Sequence, residues 1–113
     1  MNLIASLRGL VGLNHGPKRT VELDLVQQWA LLTLQQHGDC TFRRLQQEID
    51  AIRGASPAEV VIGLVKLERD GVVVRGSPDA GGGQTSVYRL TRDGHRVARL
   101  LPVAPRSAIN VYL

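Results

Sequence analysis

Several features that would point to a disulfide-bonded, secreted or membrane protein are missing from this sequence of 113 residues. Cysteine occurs once, as Cys40, so an intramolecular disulfide cannot form, and such sparse cysteine is typical of a reducing cytoplasm. No apolar run approaches the roughly 20 residues that a membrane-spanning helix needs. Residues 1–14 lack the charged segment and the small-residue cleavage pattern of a secretory signal. These absences predict a cytoplasmic protein with no membrane contact.

Residue combinations typical of catalysis or metal binding are also scarce. His37 lies three residues before Cys40, but one cysteine and three histidines do not provide the four-ligand spacing of a structural zinc site. The glycines at residues 81–83 are not followed by the Lys-Ser/Thr pair of a phosphate-binding loop. We therefore expect no catalytic residue, no bound metal and no cofactor, and we do not predict an enzyme.

What the sequence does contain is a moderate excess of positive charge on a chain long enough for one domain. It has 14 Lys and Arg against 10 Asp and Glu, a formal net charge of +4, and 43% hydrophobic residues. A chain of this length buries roughly two thirds of the surface that its unfolded form exposes. The charge favours nucleic acid or another anionic partner.

Residues 1–20 are predicted to form an N-terminal arm or a short helix. An apolar stripe recurs there at helical spacing: Leu3, Ile4, Leu7, Leu10 and Val11. Gly9 and Gly12 weaken a helix by about 1 kcal/mol each relative to alanine, so we expect the stripe to pack on its own domain or on a second copy. Leu3 and Leu7 are therefore candidate dimer contacts.

Two helices are predicted between residues 21 and 53. The first, over residues 21–37, has an apolar stripe that we expect to face the core: Val21, Leu25, Trp29 and Leu32, widened by Val26 and Ala30. Trp29 is also a candidate dimer contact. Cys40 is expected in a strand of one residue pair, and Thr41 as the N-cap of the second helix. The residues expected to be buried in that helix are Phe42, Leu45, Ile49 and Ile52.

The sharpest local signal is the start of a third helix, over residues 56–70. Gly54 can adopt the left-handed conformation that ends the previous helix, and Ser56-Pro57-Ala58-Glu59 has the form of a capping box with proline in the first turn. The expected buried stripe is Val60, Leu64 and Leu67. Helix, short glycine turn and helix are the parts of a helix-turn-helix.

A hairpin and a fourth helix are predicted to follow. Residues 72–75 and 86–90 have strand composition, and the glycine-rich loop between them, residues 76–84, is the candidate wing. Thr91 is the expected N-cap of a helix that buries Val97, Leu100 and Leu101. In the tail, residues 102–113, alternation at Ile109, Val111 and Leu113 fits either a short strand or a frayed terminus.

This order of elements predicts an α+β fold, mostly helical, of the winged helix-turn-helix type with a two- to three-stranded antiparallel wing sheet. The expected winged-helix domain spans residues 21–101. Within residues 56–101, a set of positions resembles the PadR family of winged-helix transcriptional regulators and, more loosely, the MarR type. These positions are Ser56-Pro57, Leu64, Leu67, Glu68, Gly71, Tyr88-Arg89-Leu90-Thr91 and Gly94.

The resemblance implies a homodimeric regulator that binds double-stranded DNA at a palindromic operator. The helix over residues 56–70 would lie in the major groove, and the loop over residues 76–84 along the phosphates. Members of the family dimerise through a long C-terminal helix, which Pro102 and Pro105 do not favour here. We therefore expect dimer contacts from the arm, from the helix that contains Trp29, or from the tail.

The outward face of the third helix is unusually apolar. If Val60 faces the core, the step of about 100° per residue places Ala58, Ile62, Val65 and Arg69 outside, with Glu59 and Lys66 on the flank. Base edges present hydrogen-bonding groups, and an aliphatic side chain can meet only a thymine methyl among them. A protein partner would bind the same apolar face directly. DNA binding and protein interaction both remain open at this point.

Basic side chains near this helix are candidate phosphate contacts, which set register rather than sequence. Arg43 and Arg44 precede it in the second helix, and Arg75 and Arg89 belong to the stem of the hairpin. The full set of predicted DNA or partner contacts is Arg43, Arg44, Ser56, Ala58, Glu59, Ile62, Val65, Lys66, Arg69, Arg75 and Arg89.

Overall fold

The structure, a computed structural model, describes residues 19–76 and 86–113. The expectations for the N-terminal arm, including Leu3 and Leu7, and for the tip of the hairpin loop lie outside these residues. Within them, the elements in chain order are β1 (Thr20–Leu23), α1 (Leu25–His37), β2 (Cys40–Thr41), α2 (Phe42–Arg53), α3 (Pro57–Arg69), β3 (Val73–Gly76), β4 (Val87–Leu90), α4 (Arg92–Leu100) and β5 (Ile109–Tyr112).

Each of these helices begins at a side chain that caps it. The Asp24 carboxylate accepts from the Gln27 backbone N–H at 2.8 Å, and the Gln27 side-chain oxygen accepts from the Asp24 N–H at 2.9 Å. Thr41, Ser56 and Thr91 each accept from the backbone N–H three residues further on. The caps satisfy donors that a helix leaves free in its first turn. The N-caps predicted at Thr41, Ser56 and Thr91 are confirmed.

Helix α1 lies at the centre of the fold, where α2, α3, α4 and β4 pack against it. The predicted core stripe was only partly right, because Val26 and Ala30 are buried but Leu25, Trp29 and Leu32 are only half-buried. The buried side chains extend from these two residues over a wider part of the helix surface: Val26, Gln27, Gln28, Ala30, Leu31, Thr33 and Leu34. Neighbours on several sides bury polar residues of α1 as well as apolar ones, so its apolar pattern alone does not identify its core face.

A buried glutamine joins three parts of the chain. Gln28 is fully buried, and its Nε2 donates to the carbonyl oxygens of Leu23 at 3.1 Å and Ser107 at 2.8 Å. A buried amide donor without a partner would lower the stability of the fold. These two hydrogen bonds therefore fix the end of β1 and the segment before β5 against α1.

Strands β1 and β5 form a two-stranded antiparallel sheet that pairs Val21 with Val111 and Leu23 with Ile109. The predicted helix start at Val21 was therefore wrong. Val21 and Leu23 alternate with exposed residues, as in a strand with one buried face, and the helix begins only after the Asp24 cap. Of the two alternatives for the tail, the strand is present.

The second sheet has three antiparallel strands in the order β2-β4-β3. Cys40 pairs with Tyr88, and Val73 pairs with Leu90. This sheet and the α2–α3 pair confirm the predicted winged helix-turn-helix fold. In the part of the chain that the structure describes, no helix is long and apolar enough to span a membrane.

Two residues predicted to be buried are exposed. Ile52 is 48% exposed because it lies in the last turn of α2, where residues 50–54 are all exposed. Leu100 is 63% exposed, since it lies about 110° around α4 from the buried face of Gly94, Val97 and Ala98. Leu101, also predicted to be buried, follows the helix and is half-buried.

Helix α4 approaches the backbone that leads into β3 most closely at Gly94. Thr91 joins the two segments: its backbone N–H donates to the Val72 carbonyl at 3.1 Å, and its hydroxyl donates to the Gly71 carbonyl at 2.6 Å. A methyl group on residue 94 would overlap the Val72 carbonyl oxygen and crowd Leu90. The contact between α4 and the wing sheet therefore requires a residue without a side chain.

We predict that Gly94→Ala lowers the free energy of unfolding by about 1–3 kcal/mol or more, because a rigid backbone carbonyl must move. Urea denaturation measures the effect. Gly76→Ala is the matched control, since a methyl group there meets no atom within 4 Å, and its effect should stay within about 0.5 kcal/mol. Equal stability of the two variants would contradict the close approach.

Candidate nucleic-acid interface

The turn between α2 and α3 determines how α3 is presented. Gly54 adopts a left-handed conformation with φ of 70°, and its N–H donates to the Asp50 carbonyl at 2.8 Å. Ala55 is buried in the turn, and Ser56 then caps α3. The turn thus reverses the chain within a few residues and anchors its middle in the core, as a helix-turn-helix requires.

One face of α3 is fixed against the core. Val60, Leu64 and Leu67 are each at most 2% exposed. Gly63 lies against α1, where a Cβ atom would be 3.2 Å from the Val26 side chain. The predicted buried stripe is confirmed, and the orientation of α3 about its own axis follows from it.

The opposite face of α3 is exposed and mainly aliphatic. Ile62 and Val65 are each 55% exposed, and Ala58 is exposed beside them. Val61, 46% exposed, widens the apolar area and was missing from the predicted contact residues. The Val60-Val61-Ile62 run was a usable signal, because three successive aliphatic residues cannot all face one side of a helix. The predicted outward face is confirmed as a structural feature.

The polar residues at the start of α3 are engaged with each other. The Ser56 Oγ accepts from the Glu59 N–H at 3.2 Å, and the Glu59 Oε1 accepts from the Ser56 N–H at 2.8 Å. The backbone hydrogen bond from Ser56 holds the pKa of Glu59 below its ordinary value. Glu59 is therefore a carboxylate at neutral pH, and it repels phosphate rather than attracting it.

Three basic side chains of α2 and α3 make no ion pair within 4.0 Å among the described residues: Arg43, Arg53 and Lys66. Arg43 is exposed in the first turn of α2, and Arg53 is exposed at its end. Lys66 is half-buried on the flank of α3, beside a groove of about 710 Å³ that Gln27 and Ile109 also line. All three are available to an anionic ligand.

The other predicted basic contacts are paired with carboxylates. The distances are 3.4 Å for Arg44–Glu48, 3.9 Å for Arg69–Asp70, 3.3 Å for Arg75–Glu68 and 3.0 Å for Arg89–Asp39. Exposed pairs of this kind contribute about 0–1 kcal/mol, so a phosphate can replace the carboxylate at little cost. The Arg75–Glu68 pair also connects the wing stem to α3.

The predicted contact residues thus fall on three elements of one helix-turn-helix and wing unit. Arg43 and Arg44 lie on α2, and Arg75 and Arg89 on the wing stem. Seven contacts belong to α3 or its cap: Ser56, Ala58, Glu59, Ile62, Val65, Lys66 and Arg69. The candidate dimer contact Trp29 lies elsewhere, on the half-buried side of α1, in a groove of about 400 Å³.

The two residues considered above for metal binding, His37 and Cys40, do not form a reactive or metal-binding pair. Cys40 is buried in β2, and burial raises the pKa of its thiol, although Arg44 opposes the shift. His37 lies 3.7 Å from Glu48 across the α1–α2 connection. Across residues 19–76 and 86–113, no group of three or more His, Cys, Asp or Glu side chains is placed to hold a metal ion.

By sequence, no protein-family model and no curated protein matches this chain. By structure, it is similar to solved regulators. FabT of Streptococcus pneumoniae, in complex with DNA, is 20% identical with a TM-score of 0.58, over 67% of this chain and 50% of that chain. The PcaV transcriptional regulator of Streptomyces coelicolor, with its natural ligand, is 27% identical with a TM-score of 0.56. The match covers 68% of this chain and 52% of that chain. ZitR of Lactococcus lactis, a zinc-responsive MarR family member, is 19% identical with a TM-score of 0.57. The match covers 88% of this chain and 58% of that chain.

The chain therefore spans between half and three fifths of the length of these regulators. The similarity supports the MarR-like part of the resemblance at the level of the fold. PadR of Bacillus subtilis, in complex with operator DNA, is also similar, but at 18% identity and a TM-score of 0.51, over 73% of this chain and 53% of that chain. The PadR-like part of the resemblance is thus only weakly supported.

Proposed function

We propose that this protein is a DNA-binding transcriptional regulator, acts in the cytoplasm without enzymatic activity, and inserts α3 into the major groove. The observation that carries the proposal is the outward face of α3, which is held away from the core and has on its flank Lys66, a residue without an ion-pair partner among the described residues. The fold it shares with regulators solved on DNA supports the same conclusion.

The dimensions of α3 and the positions of the charges fit this role. A helix of about 10–12 Å diameter enters a major groove about 12 Å wide. With α3 in the groove, Arg43 at the start of α2 faces the sugar-phosphate backbone, because the first helix of this motif crosses it. Arg75 and Arg89 on the wing stem then exchange their carboxylate partners for phosphates. Bound in this way at a promoter, the protein regulates transcription by excluding polymerase.

We predict that Lys66→Ala combined with Arg69→Ala weakens DNA binding by at least about tenfold at low salt, since two charged phosphate contacts are lost. The slope of log affinity against log salt concentration should fall by about 2 in magnitude. Fluorescence anisotropy with a labelled duplex at several salt concentrations measures both quantities.

The matched control removes the same charge from elsewhere on the surface. Arg96→Ala with Arg106→Ala changes two exposed arginines outside α2, α3 and the wing stem, and should leave the salt slope close to that of the unmodified chain. If both double variants change the slope equally, net charge rather than α3 controls binding, and the proposed placement is wrong.

We further propose that the regulator is a homodimer that contacts its second copy through the half-buried side of α1. Trp29 and Leu32 line a groove there together with Leu101 and Val103, and Val103 is 94% exposed. This apolar area has no partner among the described residues. A twofold arrangement of two α3 helices fits a palindromic operator.

We predict that Leu32→Glu produces a monomer, because a carboxylate in an apolar contact between copies loses its hydration without gaining a partner. Light scattering measures the mass. Trp29 is the single tryptophan of the chain, so its emission should move to longer wavelength when the unmodified protein is diluted and should be concentration-independent in the variant. If the unmodified protein is monomeric at every concentration, the proposed dimer is contradicted.

A second candidate function rests on the same exposed face. Val61, Ile62 and Val65 are each at least 46% exposed, and they could instead contact a protein. A winged-helix module of this kind would bind no DNA even at low salt. DNA is favoured because Arg43 and Arg53 on α2 and Lys66 on α3 have no ion-pair partner among the described residues and can bind phosphates.

A further inference from the structure

Helix α3 lacks the side chains that usually identify bases. It contains no Asn, Gln, Ser or Thr between Pro57 and Arg69. Asn and Gln pair with adenine, and Arg or Lys pairs with guanine, through hydrogen bonds in the major groove. The two polar residues at the start of the helix, Ser56 and Glu59, already bind each other's backbone N–H. Helix α3 therefore offers few side chains that could recognise bases through hydrogen bonds.

The long basic side chains of α3 lie away from the centre of its exposed face. Lys66 is on the flank beside Gln27, and Arg69 is the last residue of the helix, next to Asp70. From both positions, a side chain reaches the phosphates at the edge of the DNA major groove more readily than the bases at its floor. The centre is left to Ala58, Ile62 and Val65.

We propose that α3 selects DNA by contact with the 5-methyl groups of pyrimidines, which in unmodified DNA means thymine. The proposal rests on the DNA-binding function proposed above. The thymine methyl is the apolar group on the edges of base pairs in the major groove. Against any other edge, Ile62 and Val65 would cover donors and acceptors that need water, without replacing the lost hydrogen bonds.

The spacing of the apolar side chains matches the spacing of base pairs. With a rise of about 1.5 Å per residue, Ala58 and Ile62 are about 6 Å apart along the helix axis, and Ala58 and Val65 about 10 Å. Base pairs follow one another every 3.4 Å or so along the duplex. The apolar face thus extends over about three base pairs, and a run of thymines within them provides a row of methyl groups.

The test begins with selection of bound duplexes from a random-sequence pool by the full chain. The enriched duplex is then synthesised in two forms, one with thymine and one with deoxyuridine, which lacks only the methyl group. We predict about fourfold weaker binding for each contacted methyl that is removed, so about tenfold or more for two contacts. The salt slope should be the same for both forms, because the phosphates are unchanged.

A third form identifies the chemical group. In it, selected A·U pairs are replaced by pairs of guanine with cytosine or with 5-methylcytosine, and the methylated duplex should bind better than the unmethylated one. Preference for the thymine form without this gain would show that the methyl group acts through the stacking and shape of the thymine tract, and would overturn the proposed contact with α3.

Protein variants locate the contact. Ile62→Ala should reduce the ratio of thymine to deoxyuridine affinity towards 1, with little change in affinity for the deoxyuridine form. Leu100→Ala is the control, because it removes a side chain of similar size that is 63% exposed on α4, and it should leave the ratio unchanged. If Ile62→Ala weakens binding to both DNA forms equally, Ile62 supports the structure of α3 and does not contact the methyl group, which would contradict the proposal.

The outcomes separate this inference from the function on which it rests. Equal affinity for the thymine and deoxyuridine forms refutes methyl recognition but leaves DNA binding intact. No binding to any duplex at low salt refutes both, and the exposed face of α3 would then belong to a protein contact. In that case Ile62→Glu should dissociate the complex with the protein partner.

Discussion

Burial of Val60, Leu64 and Leu67 is the constraint on which the rest of the structure depends. Each side chain contributes about 1.5–3 kcal/mol when it leaves water, so the three together approach the total stability of a small domain. Helix α3 therefore cannot turn about its axis without unfolding the protein. Ile62 and Val65 are exposed for the same reason that Leu64 and Leu67 are buried. The apolar outward face is thus a fixed feature of the fold.

In the proposed DNA complex, this arrangement would separate affinity from selectivity. The basic residues on α2, on the flank of α3 and on the wing stem would bind phosphates, and the uncharged centre of α3 would contact bases, so the two roles belong to different side chains. The exposed ion pairs of Arg44, Arg69, Arg75 and Arg89 contribute little to stability, so these side chains can leave their carboxylate partners at little cost in free energy. In that complex the Glu59 carboxylate would oppose nonspecific binding, because it stays charged at the end of α3 that would enter the groove.

Local signals in the sequence predicted most of the helix-turn-helix. The caps at Thr41, Ser56 and Thr91 depend on residues within one turn, and the stripe of α3 has a single buried face, so both could be read without knowledge of distant contacts. The β1–β5 pairing could not, because it joins segments far apart in the chain. The core face of α1 was assigned only in part, at Val26 and Ala30, because its neighbours bury Gln27 and Gln28 as well as aliphatic residues. Ile52 and Leu100 were misplaced because position within an element, and not only residue type, decides burial.

The most direct test of the account is methyl NMR spectroscopy of the full chain during titration with a thymine-rich duplex. If α3 meets DNA through its outward face, the methyl resonances of Ile62 and Val65 shift and show contacts to thymine methyl protons. The Leu100 methyl resonances, exposed on α4, stay in place. Unchanged signals from Ile62 and Val65 at a concentration that saturates the duplex would contradict the account.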